Sequence, residues 1–317
     1  MSVKLEKSDW IWHDGEFIGW DDAKIHILTL AVQFGSSVFE GVRCYQTADG
    51  QAIFRLADHI RRLRRSCQVY RMELSHTDEE LIEACKSVVE RNGLGECYLR
   101  PTVLRGYGAA GMDPEGSPIE TYISCWPWGT YLGAEALEQG VDVCVSSWQR
   151  MAPNTYPSEA KAAGHYTNAQ LIKMDAIAMG FVEGIALGPG GLVSEGSGQN
   201  LFLVVDGVLI TPSVDGTSLS GITQDSVWTL AQDLDIPVRR QSVPREMLYT
   251  ADELFFTGTA SEVTPVRSVD RITVGEGRCG PITRQLQQHF LAVVRGEAED
   301  RHGWLTSVGE KVVGSRQ

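Results

Sequence analysis

The run Trp126-Pro127-Trp128-Gly129-Thr130-Tyr131-Leu132-Gly133 divides the chain into two stretches with different patterning. Proline and glycine at this density end helices and interrupt strands, so the run reads as a connection with a domain on either side. The expected boundaries are a first domain over 1–126, a connecting loop over 127–135 and a second, larger domain over 136–317. At 317 residues the chain is long enough for both, on a rule of one domain per ~150 residues. Aromatics in such a connection either pack onto a domain face or line a pocket that the connection crosses.

Ahead of the connection, Trp10 to Ile18 alternates around a polar turn and predicts a hairpin. Leu56, Ile60, Leu63, Cys67 and Tyr70 recur at spacings of four and three, which makes one apolar helical stripe. Thr77 with Glu80 forms a capping box for a second helix that Gly93 can end. Strand-like runs follow at Cys97 to Leu104 and Glu120 to Trp126. Beyond the connection the pattern is richer in strands: Val141 to Ser147, Glu183 to Leu187, Asn200 to Val205, Val208 to Thr211 and Glu253 to Thr257. Asp206-Gly207 between two apolar runs is a hairpin signal. Helices are expected at Tyr166 to Met179, Ile222 to Leu234 and Ile282 to Val294. The fold class is α+β.

Composition excludes several function classes. With 28 basic against 41 acidic residues the formal charge is −13, which opposes nucleic acid and anionic membrane surfaces as partners. Arg61, Arg62, Arg64 and Arg65 cluster locally, either as a solvated helix face or as a patch for a small anion. Seven scattered cysteines without a C-x-x-C arrangement read as reduced thiols, and the charged N-terminus lacks a signal-peptide run, so a cytoplasmic protein is expected. The histidines are isolated from metal-ligand spacing, so no metal is expected. Ser197 has Glu195 two positions earlier, where a nucleophile elbow needs glycine. No Walker A motif occurs, and Gly188-Pro189-Gly190-Gly191 opens no helix.

What remains is a set of residues suited to one cofactor. Lys161 sits in a stretch of mostly small residues, Ser158 to Tyr166, which permits close backbone approach. A lysine there is either a solvated loop residue or an amine for covalent chemistry. Glu195 lies in a Gly/Ser loop. Gly221-Ile222-Thr223 at a helix start and Gly258-Thr259-Ala260 after a strand each offer backbone N–H groups to a phosphate. A lysine, a carboxylate, an arginine and phosphate cradles together describe a site for a phosphorylated aldehyde, and pyridoxal phosphate is that compound. Tyr166 reads equally as packing or as a partner of the ring hydroxyl.

These residues carry a resemblance to a known family. Phe34-Gly35-Ser36-Ser37-Val38-Phe39-Glu40-Gly41-Val42-Arg43, Tyr98-Leu99-Arg100-Pro101, Ala152-Pro153-Asn154-Thr155 leading to Lys161, Ser194-Glu195-Gly196, Asn200-Leu201-Phe202, Leu219 with Gly221-Ile222-Thr223, Gly258-Thr259-Ala260 and Gly275 to Pro281 follow in order over nearly the whole chain. The chain resembles the class IV (fold-type IV) pyridoxal-phosphate aminotransferases, and within them the bacterial branched-chain-amino-acid aminotransferases. The resemblance implies a smaller N-terminal α/β domain and a larger β-rich pseudo-barrel domain with the cofactor at their interface.

It further implies Lys161 as the Schiff-base lysine and proton carrier, Glu195 at the pyridine nitrogen and Tyr166 at the ring oxygen. Arg62, Gly221, Ile222, Thr223 and Thr259 would hold the phosphate, and Leu219 would pack on the ring. Phe39, Gly41, Tyr98, Trp128 and Tyr131 would line the side-chain pocket. Thr259 and Ala260 would meet the α-carboxylate with Tyr98, while Arg100 would receive the distal carboxylate of glutamate. The implied reaction moves the amino group of L-leucine, L-isoleucine or L-valine to 2-oxoglutarate in a ping-pong cycle. Small amino acids and 2-oxo acids would be its partners, and the assembly a homodimer or a dimer-based hexamer. D-amino-acid or (R)-amine transaminases and aminodeoxychorismate lyases share this fold. Tyr98-Leu99-Arg100 with Phe39 and Gly41 favours the branched-chain type. Phe34, Gln199 and Gln224 depart from the residues usual at those positions, which bears on substrate range and local electrostatics.

Overall fold

The computed structural model describes residues 5–129, 134–213 and 216–309. Residues 130–133 of the expected connection, Tyr131 among them, lie outside the described residues. The chain forms two compact units, one from Met1–Gly129, Ala160–Gly164 and Ala292–Gln317, the other from Thr130–Glu159 and His165–Leu291. Lys161 thus belongs to the unit built mainly by the N-terminal residues.

The first unit is an eight-stranded antiparallel sheet with two long helices. Its strand order is Leu305–Ser307, Gly50–Phe54, Val42–Thr47, Cys97–Arg105, Ile119–Pro127, Trp10–His13 and Glu16–Gly19. Ser37–Phe39 pairs with the far end of Cys97–Arg105. The hairpin, the capping box of Thr77 and the left-handed Gly93 cap all form as the sequence predicts. The strand Val42–Thr47 gives no sequence signal because Val42 through Tyr45 are all buried, leaving no alternation to read.

Alternation along Cys97–Arg105 sorts the two sheet faces. Cys97 and Leu99 join Leu56, Ile60, Leu81, Val88 and Val89 in a core under the helices Leu56–Val69 and Asp78–Asn92. Each such side chain, withdrawn fully from water, is worth about 1.5–3 kcal/mol before the entropy of ordering it is set against that gain. Tyr98 and Arg100 take the opposite face. Pro101 carries no N–H, and on that edge the neighbouring chain leaves the sheet at Glu40 and Gly41. A bond from Glu40 N to the Pro101 carbonyl, at 2.8 Å, bridges the gap.

The second unit holds a nine-stranded mixed sheet in the order Val193–Gly196, Glu183–Leu187, Val141–Val145, Glu262–Val269, Glu253–Gly258, Asn200–Val205, Val208–Pro212 and Val238–Gln241, with Ile272–Thr273 beside Glu262–Val269. Parallel neighbours need a crossover. The helix Tyr166–Ala178 lies between Val141–Val145 and Glu183–Leu187, and Ile222–Asp233 between Val208–Pro212 and Val238–Gln241. Asp206 and Gly207 turn the predicted hairpin with φ of 48° and 76°. Leu201, Leu203, Leu254, Phe256 and Val266 centre its core.

Candidate active site

In the first unit the peptide of Lys161 is clamped on two sides. Its carbonyl accepts from Phe39 N at 3.0 Å, and its N–H donates to Ser66 Oγ at 3.0 Å. Ala160 and Ala162 are buried, and Ala162 packs with Val38, Leu63 and Cys67. Larger side chains at those positions would force the segment off the strand, which is why lysine stands among alanines and glycine here. The ammonium lies 5.2 Å from the Phe39 ring centre.

Glu40, in the gap opened opposite Pro101, is wholly buried against two basic side chains. Arg62 donates to it through Nε at 2.6 Å and Nη2 at 2.9 Å, and His59 Nδ1 lies 2.6 Å away. Burial alone would raise the Glu40 carboxyl, but the Arg62 guanidinium and His59 hold it well below the carboxylate range. Burial also pushes His59 down, against the pull of Glu40. The expected phosphate residue Arg62 is therefore oriented by a fork with its own carboxylate. Glu40 and His59 carry no signal in the sequence beyond membership of a motif and a helix.

Tyr98, Arg100, Phe39, Trp126 and Trp128 gather on the sheet face away from the helices. The Arg100 guanidinium carbon stands 4.6, 5.4 and 5.6 Å from the ring centres of Phe39, Tyr98 and Trp126. Tyr98 lies 4.9 Å from Trp128, centre to centre. A Cβ at Gly41 would meet Tyr98 Oη at 1.8 Å, so glycine is required for the tyrosine to lie there. In the sequence Trp126 is the end of a strand and the first aromatic of the connecting run, with no role of its own assigned to it.

In the second unit Glu195 is held at both oxygens. Arg150 Nη2 lies 2.6 Å from Oε1, while Asn200 Nδ2 at 3.2 Å and the Leu219 amide at 3.3 Å donate to Oε2. Asn200 also donates to the Leu219 carbonyl at 2.9 Å, and a Cβ at Gly221 would lie 1.9 Å from Asn200 Oδ1. Glu195, Asn200, Leu219 and Gly221 are thereby tied to one another. The helix Ile222–Asp233 begins at Gly221, which supplies no side-chain cap, with Thr223 buried in its first turn. Thr259 and Ala260 form the half-buried turn between Glu253–Gly258 and Glu262–Val269, and Tyr166 is the half-buried first residue of its helix. Sequence reasoning misses Arg150, because nothing in its neighbourhood tells that it ends buried.

The residues present fit pyridoxal phosphate. A helix start lacking a side-chain cap, with a threonine hydroxyl, suits a phosphate. A carboxylate fixed by three donors suits a pyridinium nitrogen, and a clamped lysine suits the aldehyde.

Comparison with known proteins shows the family to which the chain belongs. The model of the family described as amino-transferase class IV matches residues 37–269. The chain is 50% identical over 307 residues to the branched-chain-amino-acid aminotransferase of Salmonella typhimurium, covering 96% of this chain and 99% of that one. The crystal structure of the Escherichia coli branched-chain amino acid aminotransferase superposes with a TM-score of 0.94 at 50% identity, covering 96% and 100% of the two chains. The crystal structure of the branched-chain amino acid aminotransferase from Thermobaculum terrenum, in its PLP holo-form, superposes at 0.89 with 34% identity, covering 96% and 99%.

Proposed function

Because this chain belongs to the class IV aminotransferases, we infer that it is a pyridoxal-phosphate-dependent branched-chain-amino-acid aminotransferase. It moves the amino group of L-leucine, L-isoleucine or L-valine to 2-oxoglutarate, releasing the 2-oxo acid and L-glutamate. The observation that carries the substrate reading is Arg100 laid among Phe39, Tyr98 and Trp126. One enclosure there offers apolar walls to an aliphatic side chain and a guanidinium to a dicarboxylate, the two demands that alternate half-reactions make.

The cofactor, when bound, supplies an aldehyde for the amine and a ring that accepts the electron pair left at Cα. Lys161 Nζ would hold the cofactor's aldehyde at rest and, once the substrate amine has displaced it, would move the proton of substrate Cα. Glu195 keeps the ring nitrogen protonated, and Tyr166 bonds the ring oxygen. Arg62, the amides of Ile222 and Thr223 after Gly221, and Thr259 hold the phosphate, while Leu219 packs against the ring. Thr259 and Ala260 amides with Tyr98 orient the α-carboxylate. Phe39, Gly41 and Trp128 shape the side-chain pocket, and Arg100 takes the distal carboxylate.

We assign the protein to the cytoplasm, a reading supported by seven free and buried cysteines. Among the described residues no helix is long and apolar enough to cross a membrane. A homodimer or dimer-based hexamer is supported by the exposed apolar residues Ile25, Ile27, Leu28, Val32 and Phe34 in one short stretch of the first unit.

The test follows the cofactor absorbance of the purified protein on adding L-leucine, then 2-oxoglutarate, with D-alanine in parallel. The band is expected to bleach with L-leucine, return with 2-oxoglutarate and ignore D-alanine. Bleaching by D-alanine alone would move the protein to the D-amino-acid branch.

A further inference from the structure

Trp126 is the cross-strand neighbour of Tyr98, and Arg100 follows two residues along the same strand, so the three side chains share one sheet face. Trp126 Nε1 and Arg100 Nε in this enclosure are buried and have no acceptor among the described residues. A buried donor left unmade forfeits the hydrogen bond it had with water, so two such donors on one sheet face, with the Arg100 guanidinium carbon 5.6 Å from the Trp126 ring centre, point to an acceptor that arrives. The surrounding groups narrow what that acceptor is. Phe39 and the ring of Tyr98 present π faces to the guanidinium, which park the cation while an apolar ligand is bound but accept no strong hydrogen bond.

We propose that Trp126 is a specificity-determining residue for dicarboxylic substrates, its indole N–H and the Arg100 guanidinium together receiving the distal carboxylate of glutamate or 2-oxoglutarate. A carboxylate has two oxygens and accepts from both donors at once, whereas a branched aliphatic side chain meets only the ring faces. The proposal rests on the reading of Arg100 as the distal-carboxylate residue and adds a second donor to it. The geometry explains how one pocket serves both substrate classes without moving the backbone: the rings are common to both, and the N–H groups act for one.

The test is Trp126→Phe, which keeps an aromatic ring and removes the indole N–H, with Arg100→Ala beside it. Steady-state KM values for glutamate and leucine are measured in each. Equilibrium binding of glutarate and 4-methylvalerate to the cofactor-loaded protein is measured by calorimetry, so that affinity is read without turnover. A hydrogen bond to a charged group corresponds to about tenfold or more in affinity. Trp126→Phe is therefore expected to weaken glutarate and glutamate by about that factor, leaving 4-methylvalerate and leucine within about twofold. Equal losses for both classes would mean that the indole acts by packing, and the proposal falls. Unchanged glutarate binding in Trp126→Phe alongside a loss in Arg100→Ala overturns the proposal and leaves the reading of Arg100 intact. Unchanged glutarate binding in Arg100→Ala overturns that reading and the proposal together.

Discussion

Arg150 Nη2 stands 2.6 Å from Oε1 of Glu195, with both side chains almost wholly withdrawn from solvent. The carboxylate proposed to serve the ring nitrogen is thus a member of a buried ion pair whose other oxygen is bonded by Asn200 and Leu219. Arg150 is itself oriented by Asn168, whose Oδ1 accepts from Nη1 at 3.1 Å.

Removing the cation alone strands a buried charge. Arg150→Met is expected to lower unfolding stability by about 3–5 kcal/mol, and the double change Arg150→Met with Glu195→Gln to recover most of the loss. Urea unfolding of the two singles and the double measures the coupling. Additive losses would show that the pair does not act as a unit.

The Glu40 fork makes a prediction in acid. Its folded-state carboxyl is held below the ordinary value of 4.5, so the stability it contributes is present above that pH and is lost as pH falls below it. Glu40→Gln should therefore be less stable than the parent at pH 7 and show a flatter loss below pH 4.5. Melting temperatures taken from pH 7 down to 3 decide it, and parallel curves would refute it.

Local patterning carried much of the fold into the sequence, and the places where it stopped are physical. The capping box of Thr77 and the Asp206-Gly207 turn involve neighbours a few residues apart, so their partners sit within sight of each other in the chain. The stripe Leu56, Ile60, Leu63 and Cys67 is buried as its spacing requires. The arginines beside it divide differently: Arg61 is 57% exposed, as a solvated face predicts, while Arg62 is only 12% exposed. What withdraws Arg62 is Glu40, 22 residues earlier, and what brings Glu40 there is a break in strand pairing opposite Pro101. Arg150 and Glu195 meet in the same way, one in the loop that follows Val141–Val145 and the other on the strand Val193–Gly196. Periodicity reports which face a residue takes; it does not report which distant residue faces it.

His165 titrates in a different window from Glu40. Burial, helped by the charge of Arg150, pushes its imidazole down to about 4 from an ordinary 6.5. Between those values the unfolded chain binds a proton that the folded chain refuses, so stability declines as pH falls from 6.5 toward 4. His165→Gln removes this site and is expected to have a shallower decline across that interval, by up to one proton in the slope. Unfolding free energies at several pH values between 4 and 7 measure it, and equal slopes would count against the assignment.

The run Gly275 to Pro281, the last stretch that carries the family resemblance, is explained by a helix start. Glu253 accepts from the backbone N–H groups of Ile282 at 3.0 Å and Thr283 at 2.7 Å, capping the helix Pro281–Val294 from a neighbouring strand. Pro281 suits the first helical position because its absent N–H would have been unbonded there. Gly280 leaves room for the carboxylate: a Cβ at that position would lie 2.2 Å from Glu253 Cδ. Gly275, at φ of 51°, passes so close to Asp252 that a Cβ would reach its carbonyl oxygen at 2.0 Å. Loss of a cap costs about 0.5–2 kcal/mol, with a carboxylate at a helix N-terminus contributing further through the dipole. Glu253→Ala should therefore lower stability by about 1–2 kcal/mol. Gly280→Ala should lower it at least as much, by displacing the same carboxylate. Since both changes remove one interaction, the double variant should lose much less than the two singles taken together. Thermal melts of the three variants test this, and a double variant showing the full combined loss would mean that Gly280 serves some purpose other than admitting Glu253.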